Sequence, residues 1–269
     1  MKFRNAFLKG LLSLSVFSLT AIATYGQDSK TRSDLAQSFE SFDLVRVLKS
    51  PAPKGDKTLS IVAAGQNYRL KVTPNDLFSD RYRAEDSQSP SVIGLERPVV
   101  NTFKGTIEGI ENSEVRLTID GNDIVGFFDV AGDRFFVEPA DRYSDNAKAD
   151  QSVVYRERDA LTQQTFFCDA DLPTRVENGM AAVTADPANV ILASRRMEVA
   201  TEADFEYVNL SGSPSSANSQ IASILNMVEG TYAAQIDLNI SIVYQHTWST
   251  PDPFAGANTG VILTNFRSY

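Results

Sequence analysis

Between residues 42 and 138 apolar side chains recur at every second position in short runs, and the runs are separated by residues that let the chain reverse. In Val115, Leu117 and Ile119 the alternation is strict, so the three side chains share one face of a strand. Asp120-Gly121 follows, and these residues tolerate the positive φ of a hairpin turn. A second turn is expected at Ala131-Gly132-Asp133. The same pattern marks strands at 44–48, 58–64, 68–72, 103–110, 124–128 and 135–137. A chain written this way buries one face of each strand and predicts an antiparallel meander, a mostly antiparallel β-domain over 42–168.

The pattern changes class at Arg195. Met197, Val199, Thr201, Ala203, Phe205 and Tyr207 alternate as one strand face. Ser211-Gly212-Ser213-Pro214 then reads as a turn into a helix, with Ser213 as cap and Pro214 at the first helical position. Ile221, Ile224, Leu225, Val228 and Tyr232 follow at helical spacing, and Leu238, Ile240, Ile242 and Tyr244 alternate again. Strand, helix and strand in this order predict a β-α-β unit with parallel strands and a right-handed crossover. Ile262, Phe266 and Tyr269 begin another helical stripe without a cap or stop signal; two turns are marginal alone, so 195–269 is expected to be the incomplete opening of an α/β domain. Residues 169–194 are polar and small, with a break at Asp186-Pro187, and are read as a linker open to proteolysis. Residues 27–41 show no periodicity and are read as a flexible leader.

Lys2, Arg4 and Lys9 precede an apolar run from Leu11 to Ala23 that is too short to span a bilayer. Residues 1–26 therefore read as a signal peptide and the protein as secreted, extracellular or periplasmic, with no stable membrane anchor. Removing them takes away three positive charges and no negative ones, moving the formal charge from −9 to −12. That balance offers no clustered cations for phosphates, so nucleic acid is not an expected partner. The one cysteine, Cys168, cannot form an internal disulfide: it is free, pairs with another chain, or binds something.

Arg195-Arg196-Met197-Glu198-Val199, Asp204, the helix from Ile221 to Val228 with Tyr232, Ile240-Ser-Ile-Val243 and Thr247-Trp248-Ser249-Thr250-Pro251-Asp252-Pro253 together resemble the start of reprolysin and ADAM-type metalloprotease domains, members of the metzincins. Upstream, Thr102-Phe-Lys-Gly105, Ile107-Glu-Gly109, Val115-Arg-Leu117, Gly126 and Asp133-Arg-Phe-Phe-Val-Glu-Pro139 resemble that family's propeptide. The resemblance implies a precursor in which the propeptide keeps the protease latent, assists its folding and packs on its own catalytic domain, with proteins or peptides as substrates. It gives Cys168, which follows Val153-Val154-Tyr155-Arg156, the role of a thiolate that ligates the catalytic zinc and displaces the nucleophilic water. The family's Cys-Gly is Cys168-Asp169 here. Glu198 matches a position that in some reprolysins helps to bind a structural calcium.

The family's zinc motif, H-E-x-x-H-x-x-G-x-x-H, is absent. The chain has one histidine, His246, whose spacing matches no metal site and which is read, like Trp248, as a packing residue at a strand end. The segment is therefore inactive by itself, and zinc is expected in a full-length protein whose ligands lie downstream. A different class remains open: a secreted non-enzymatic β-domain for binding or adhesion, with 195–269 as a small independent domain. The precursor reading expects an unfinished sheet after Arg195 with apolar surface exposed; the binding reading expects a self-contained fold.

Overall fold

The computed structural model describes residues 28–51, 55–161, 195–254, 256 and 258–269. The expected signal peptide (1–26), Cys168 and the expected linker (169–194) lie outside them. The strands are β1 (Asp43–Val45), β2 (Leu48–Pro51), β3 (Lys57–Ala63), β4 (Gln66–Pro74), β5 (Phe78–Gln88), β6 (Ser91–Leu95), β7 (Thr102–Ile107), β8 (Val115–Asp120), β9 (Asp123–Val130), β10 (Asp133–Pro139), β11 (Ser152–Arg156), β12 (Arg195–Ala203) and β13 (Leu238–Trp248). The helices are α1 (28–35), α2 (Phe205–Ser211), α3 (Pro214–Ile236) and α4 (Thr259–Ser268).

Nine strands form one antiparallel sheet in the order β1-β11-β10-β9-β8-β7-β4-β3-β2. Its hairpins fall where the turn residues stand: Ala131 and Gly132, between β9 and β10, have φ of 50° and 91°, a pair of left-handed conformations that matches the twist of the flanking strands. The sheet curls until the Asp43 carboxylate of β1 accepts a hydrogen bond from the Ala64 amide at the end of β3, 2.6 Å away. Inside the curl lie Leu59, Ile61, Leu70, Val72, Val115, Leu117, Phe128, Phe135 and Val137. Each such side chain taken fully out of water contributes about 1.5–3 kcal/mol.

The four remaining strands form a second sheet in the order β12-β13-β5-β6. β12 and β13 run parallel, with α2 and α3 between them in sequence. β5 also runs parallel to β13, and β6 closes the far side as an antiparallel hairpin. Strands from within 42–168 thus share a sheet with strands from beyond Arg195. The donor segment is an excursion of the meander: β4 and β7 are hydrogen-bonded neighbours, and residues 75–101 leave between them and return. Asn75 and Thr102 fasten its base, the Asn75 amide donating to the Thr102 carbonyl at 2.8 Å and the Thr102 hydroxyl to the Asn75 carbonyl at 2.6 Å. α3 fills the layer between the sheets, packing on β13 on one side and on β7, β8 and β9 on the other.

Three expectations change. The leader is not patternless in space: α1 brings buried Leu35, and the turn after it Phe39, onto Val153, Tyr143 and Tyr155. The strand expected to run through Tyr207 stops at Ala203, because the Asp204 carboxylate accepts from the Tyr207 amide at 2.7 Å and starts α2. The last helix does have a cap, Asn258, whose side chain accepts from the Val261 amide. Ser213 caps α3 through the Ser216 amide, with Pro214 in its first turn, as the sequence predicts.

Gly126 of β9 has φ +151°, and a Cβ built on it would stand 2.0 Å from the Arg116 carbonyl oxygen of β8. Gly126→Ala is expected to lower stability by at least about 2 kcal/mol, whereas Gly94→Ala, where a Cβ meets nothing within 4 Å, is expected to leave it unchanged; urea denaturation separates the two. α1 is held partly by charge. Asp34 accepts from the Ser144 hydroxyl at 2.5 Å and Asp28 from Lys148 at 3.0 Å, and these bonds hold both carboxyls below their ordinary range. A depressed carboxyl stabilises above its unfolded pKa of about 4 and loses that contribution as pH falls through the folded value. Amide protection of α1 is therefore expected to fall below pH of about 4 before that of β8 and β9, and Asp34→Asn to remove most of the difference.

Candidate functional site

The charged and polar side chains with the most constrained geometry lie where the two sheets and α3 meet. On one face of the four-stranded sheet the register sets Glu202 of β12 opposite His246 of β13, with Ser87 of β5 beside them. His246 Nδ1 is 2.6 Å from Glu202 Oε1 and Nε2 is 3.0 Å from Ser87 Oγ. A carboxylate only accepts, so Nδ1 carries the hydrogen, and in the neutral ring the Ser87 hydroxyl donates to Nε2. Trp248 Nε1–H donates to the same Glu202 oxygen at 2.6 Å. Next along the face, the Tyr244 hydroxyl donates to Glu85 at 2.8 Å, and burial pushes its pKa up.

Serine, histidine and carboxylate in this order are the parts of a hydrolase relay. A nucleophile must also meet a substrate, and here Ser87 is 8% and His246 5% exposed. The Ser87 carbonyl is occupied as well, by the Ser249 amide at 3.1 Å and the Thr250 hydroxyl at 3.2 Å. The chain of bonds ties three strands together and is not an exposed reaction centre. Both ring nitrogens of His246 are spent in it, so the ring has no lone pair to offer a zinc ion.

The other face carries a second tie. Gln245 accepts from the Tyr82 hydroxyl at 2.8 Å and donates to Thr201 and to the Asn218 carbonyl, each at 3.3 Å. Burial pushes Tyr82 up to about 12. The Thr247 hydroxyl donates to buried Asp86 at 2.8 Å.

Between α3 and the nine-stranded sheet lies an ion pair, Arg116 Nη1 to Glu229 Oε2 at 2.6 Å, with both side chains 4% exposed. Glu229 Oε2 also accepts from Asn75 at 2.8 Å, and Oε1 from the Ile240 amide at 3.1 Å. Asn75 donates in addition to Asn226, whose own amide reaches the carbonyls of Phe103 and Leu117. Glu114 takes the remaining side of Arg116 at 2.6 Å. Gly230 permits the approach: a Cβ there would stand 2.5 Å from Arg116 Cγ. Beyond this network a half-open cleft of about 650 Å³ separates α2 and α3 from the outer meander; Phe136, Tyr155, Leu210, Ile224 and Met227 line it.

Of the residues singled out in the sequence, Cys168 lies outside the described residues. Glu198 stands on β12, its side chain 55% exposed, paired with Arg81 Nη2 of β5 at 3.0 Å. Among the described residues no three of His, Cys, Asp and Glu group as metal ligands. Trp248 packs edge-on against His246, Phe254 and Tyr269 at 5.1–5.9 Å. Asp252, from the Trp-x-x-x-Asp-Pro turn, accepts from the amides of Phe205 and Phe254 at 2.9 and 2.7 Å, joining β13 to the start of α2. Glu229, Arg116, Asn75 and Asn226 escape sequence reasoning. Their one signal is the spacing of Asn226, Glu229 and Gly230 on one side of a helix whose apolar stripe points elsewhere.

Glu229→Ala leaves a buried guanidinium half-paired and is expected to cost about 3–5 kcal/mol, whereas the pair Arg116→Met with Glu229→Leu should recover most of that loss. Chemical denaturation of the three chains gives the comparison.

No helix of the described residues is long and apolar enough to cross a membrane. No protein-family model matches the chain. It is similar to the disintegrin and metalloproteinase domain-containing protein 22 of Xenopus laevis, with 25% identity over 230 residues that cover 79% of this chain and 24% of that protein. The chain spans about a quarter of that relative's length, and the likeness is a distant one to a metalloproteinase-related protein.

Proposed function

We propose that the chain is the amino-terminal part of the precursor of a secreted zinc metalloendopeptidase: a signal peptide over 1–26, a β-rich pro-part over 42–168, an activation linker over 169–194 and the opening of the protease domain from Arg195. One observation carries this reading. The similarity to a disintegrin and metalloproteinase protein covers 79% of the chain, more than either residues 1–161 or residues 195–269 contain, so it spans both sides of the linker.

The geometry supports the reading in two ways. β12 and β13 run parallel with α3 between them in sequence, and among the described residues β12 pairs only on its β13 side, its other edge being of the kind further strands join. Val261, Ile262, Phe266 and Tyr269 of the last helix are exposed, an apolar surface that more of the same domain would cover. In this reading the pro-part keeps the protease latent and assists its folding, and Cys168 supplies the thiolate. Zinc, any calcium near Glu198, and the protein or peptide substrates belong to the whole protein, with the metal ligands beyond Tyr269.

The test is to express the complete reading frame and measure bound metal and peptide hydrolysis. One zinc per chain is expected, with chelator-sensitive hydrolysis that appears once residues 27–194 are removed and rises in the uncut Cys168→Ala precursor. A metal-free protein that hydrolyses no peptide would overturn the proposal.

A further inference from the structure

We propose that the excursion 75–101 is a strand donor that keeps residues 195–269 bound to the β-meander after the chain is severed between residues 161 and 195, so that a single cut there frees neither part. The name pro-part rests on the reading above. The association itself rests on contacts within this chain.

Three features converge on it. The first is sheet completion: β13 accepts β12 on one side and β5 on the other. Without β5 the segment after Arg195 is left with a two-stranded parallel ribbon, and without β13 the excursion is a lone hairpin; neither is stable in isolation. The Ile242 amide donates to the Leu77 carbonyl at 2.7 Å and the Ser249 amide to the Ser87 carbonyl at 3.1 Å, so the pairing engages both ends of β5, with an irregularity between Phe78 and Arg83.

The second is a shared core. Leu77 and Phe78 of the excursion pack with Ala222 of α3 and Ile242 of β13, with Tyr82 and Leu225 at the margin. Half of this cluster lies on each side of the cut, so separation exposes both halves to water.

The third is polar pairing across the same boundary. Parting the segments unmakes Tyr82–Gln245, Ser87–His246, Glu85–Tyr244 and Asp86–Thr247 on the sheet. It also unmakes the buried Arg116–Glu229 pair and the Asn75 bonds to Asn226 and Glu229. Partial separation strands buried polar groups without partners, which favours an all-or-none contact.

The experiment uses the full chain with a site-specific protease sequence placed between residues 178 and 194, cut to completion as judged on a denaturing gel. On native size exclusion at micromolar concentration the two fragments are expected to elute together at the position of the uncut chain, and to separate in denaturant. Elution as two species would overturn the proposal. In the cut chain the amides of Ile242 and Ser249 are expected to stay as protected from hydrogen exchange as in the uncut chain; free exchange in a co-eluting pair would show that something other than strand donation joins them, and would overturn the assignment to the excursion. Replacing residues 76–101 by a short turn that keeps β4 and β7 paired is expected to let the cut fragments separate, and continued co-elution would count against the excursion in the same way. None of these readouts involves zinc or peptide hydrolysis. A chain with no peptidase activity could pass them, and an active peptidase could fail them.

Discussion

One buried carboxylate, Glu229, receives hydrogen bonds from three parts of the chain that are far apart in sequence: Arg116 on β8, Asn75 where the meander gives way to the excursion, and the backbone of Ile240 on β13. Burying two charges is costly, and their mutual attraction does not by itself make such a pair a net source of stability. What it does is discriminate. A helix rotated or shifted along its axis would leave a guanidinium and a carboxylate in a low-dielectric layer without partners, so few alternative placements of α3 are tolerable. The glycine beside the acid follows from this. Gly230 lets the helix backbone come close enough to Arg116 of β8 for a short contact, and the larger apolar side chains Ile224, Tyr232 and Ile236 are left on the outside.

The Ser87–His246–Glu202 chain shows how far geometry can go without function. A histidine buried in a sheet face must satisfy two nitrogens of opposite character, and a hydroxyl on one side with a carboxylate on the other does so at little cost. Its likeness to a catalytic relay arises from that requirement. Access separates the two cases, and here the strand carrying the serine lies inside the sheet, with its own carbonyl already engaged.

How much of this is legible in the sequence depends on whether the cause is local. β3, β4, β8 and β9 are readable because side-chain alternation and the turn residues are written in the strands themselves. The start of α3 is readable because a cap and a first-turn proline act within three residues. β5 is not readable: Ser79, Asp80, Arg81, Arg83, Glu85 and Asp86 carry no strand signal, and its second half, from Ala84, is extended because β13 and β6 flank it on both sides. α1 is missed because its two apolar anchors, Leu35 and Phe39, are too few to make a period, and the bonds of Asp28 and Asp34 reach Lys148 and Ser144, more than a hundred positions away. α2 is misread as strand because Ala203, Phe205 and Tyr207 continue the alternation, although Asp204 sits at the right spacing to cap Tyr207. Of the tie across the sheets, His246 and Trp248 are recognisable as packing residues, whereas the pairing of Arg116 with Glu229 joins positions more than a hundred apart.

The excursion departs and returns at one closed point, where Asn75 and Thr102 exchange hydrogen bonds beside the β4–β7 pairing. Residues gained or lost between those two positions displace no strand of the nine-stranded sheet from its register. The meander places no limit on the length or charge of that segment, and β13 places a strict one. Across species the excursion is therefore free to drift against the meander while it changes in step with β13 and α3, so its history should follow theirs more closely than that of the strands from which it emerges.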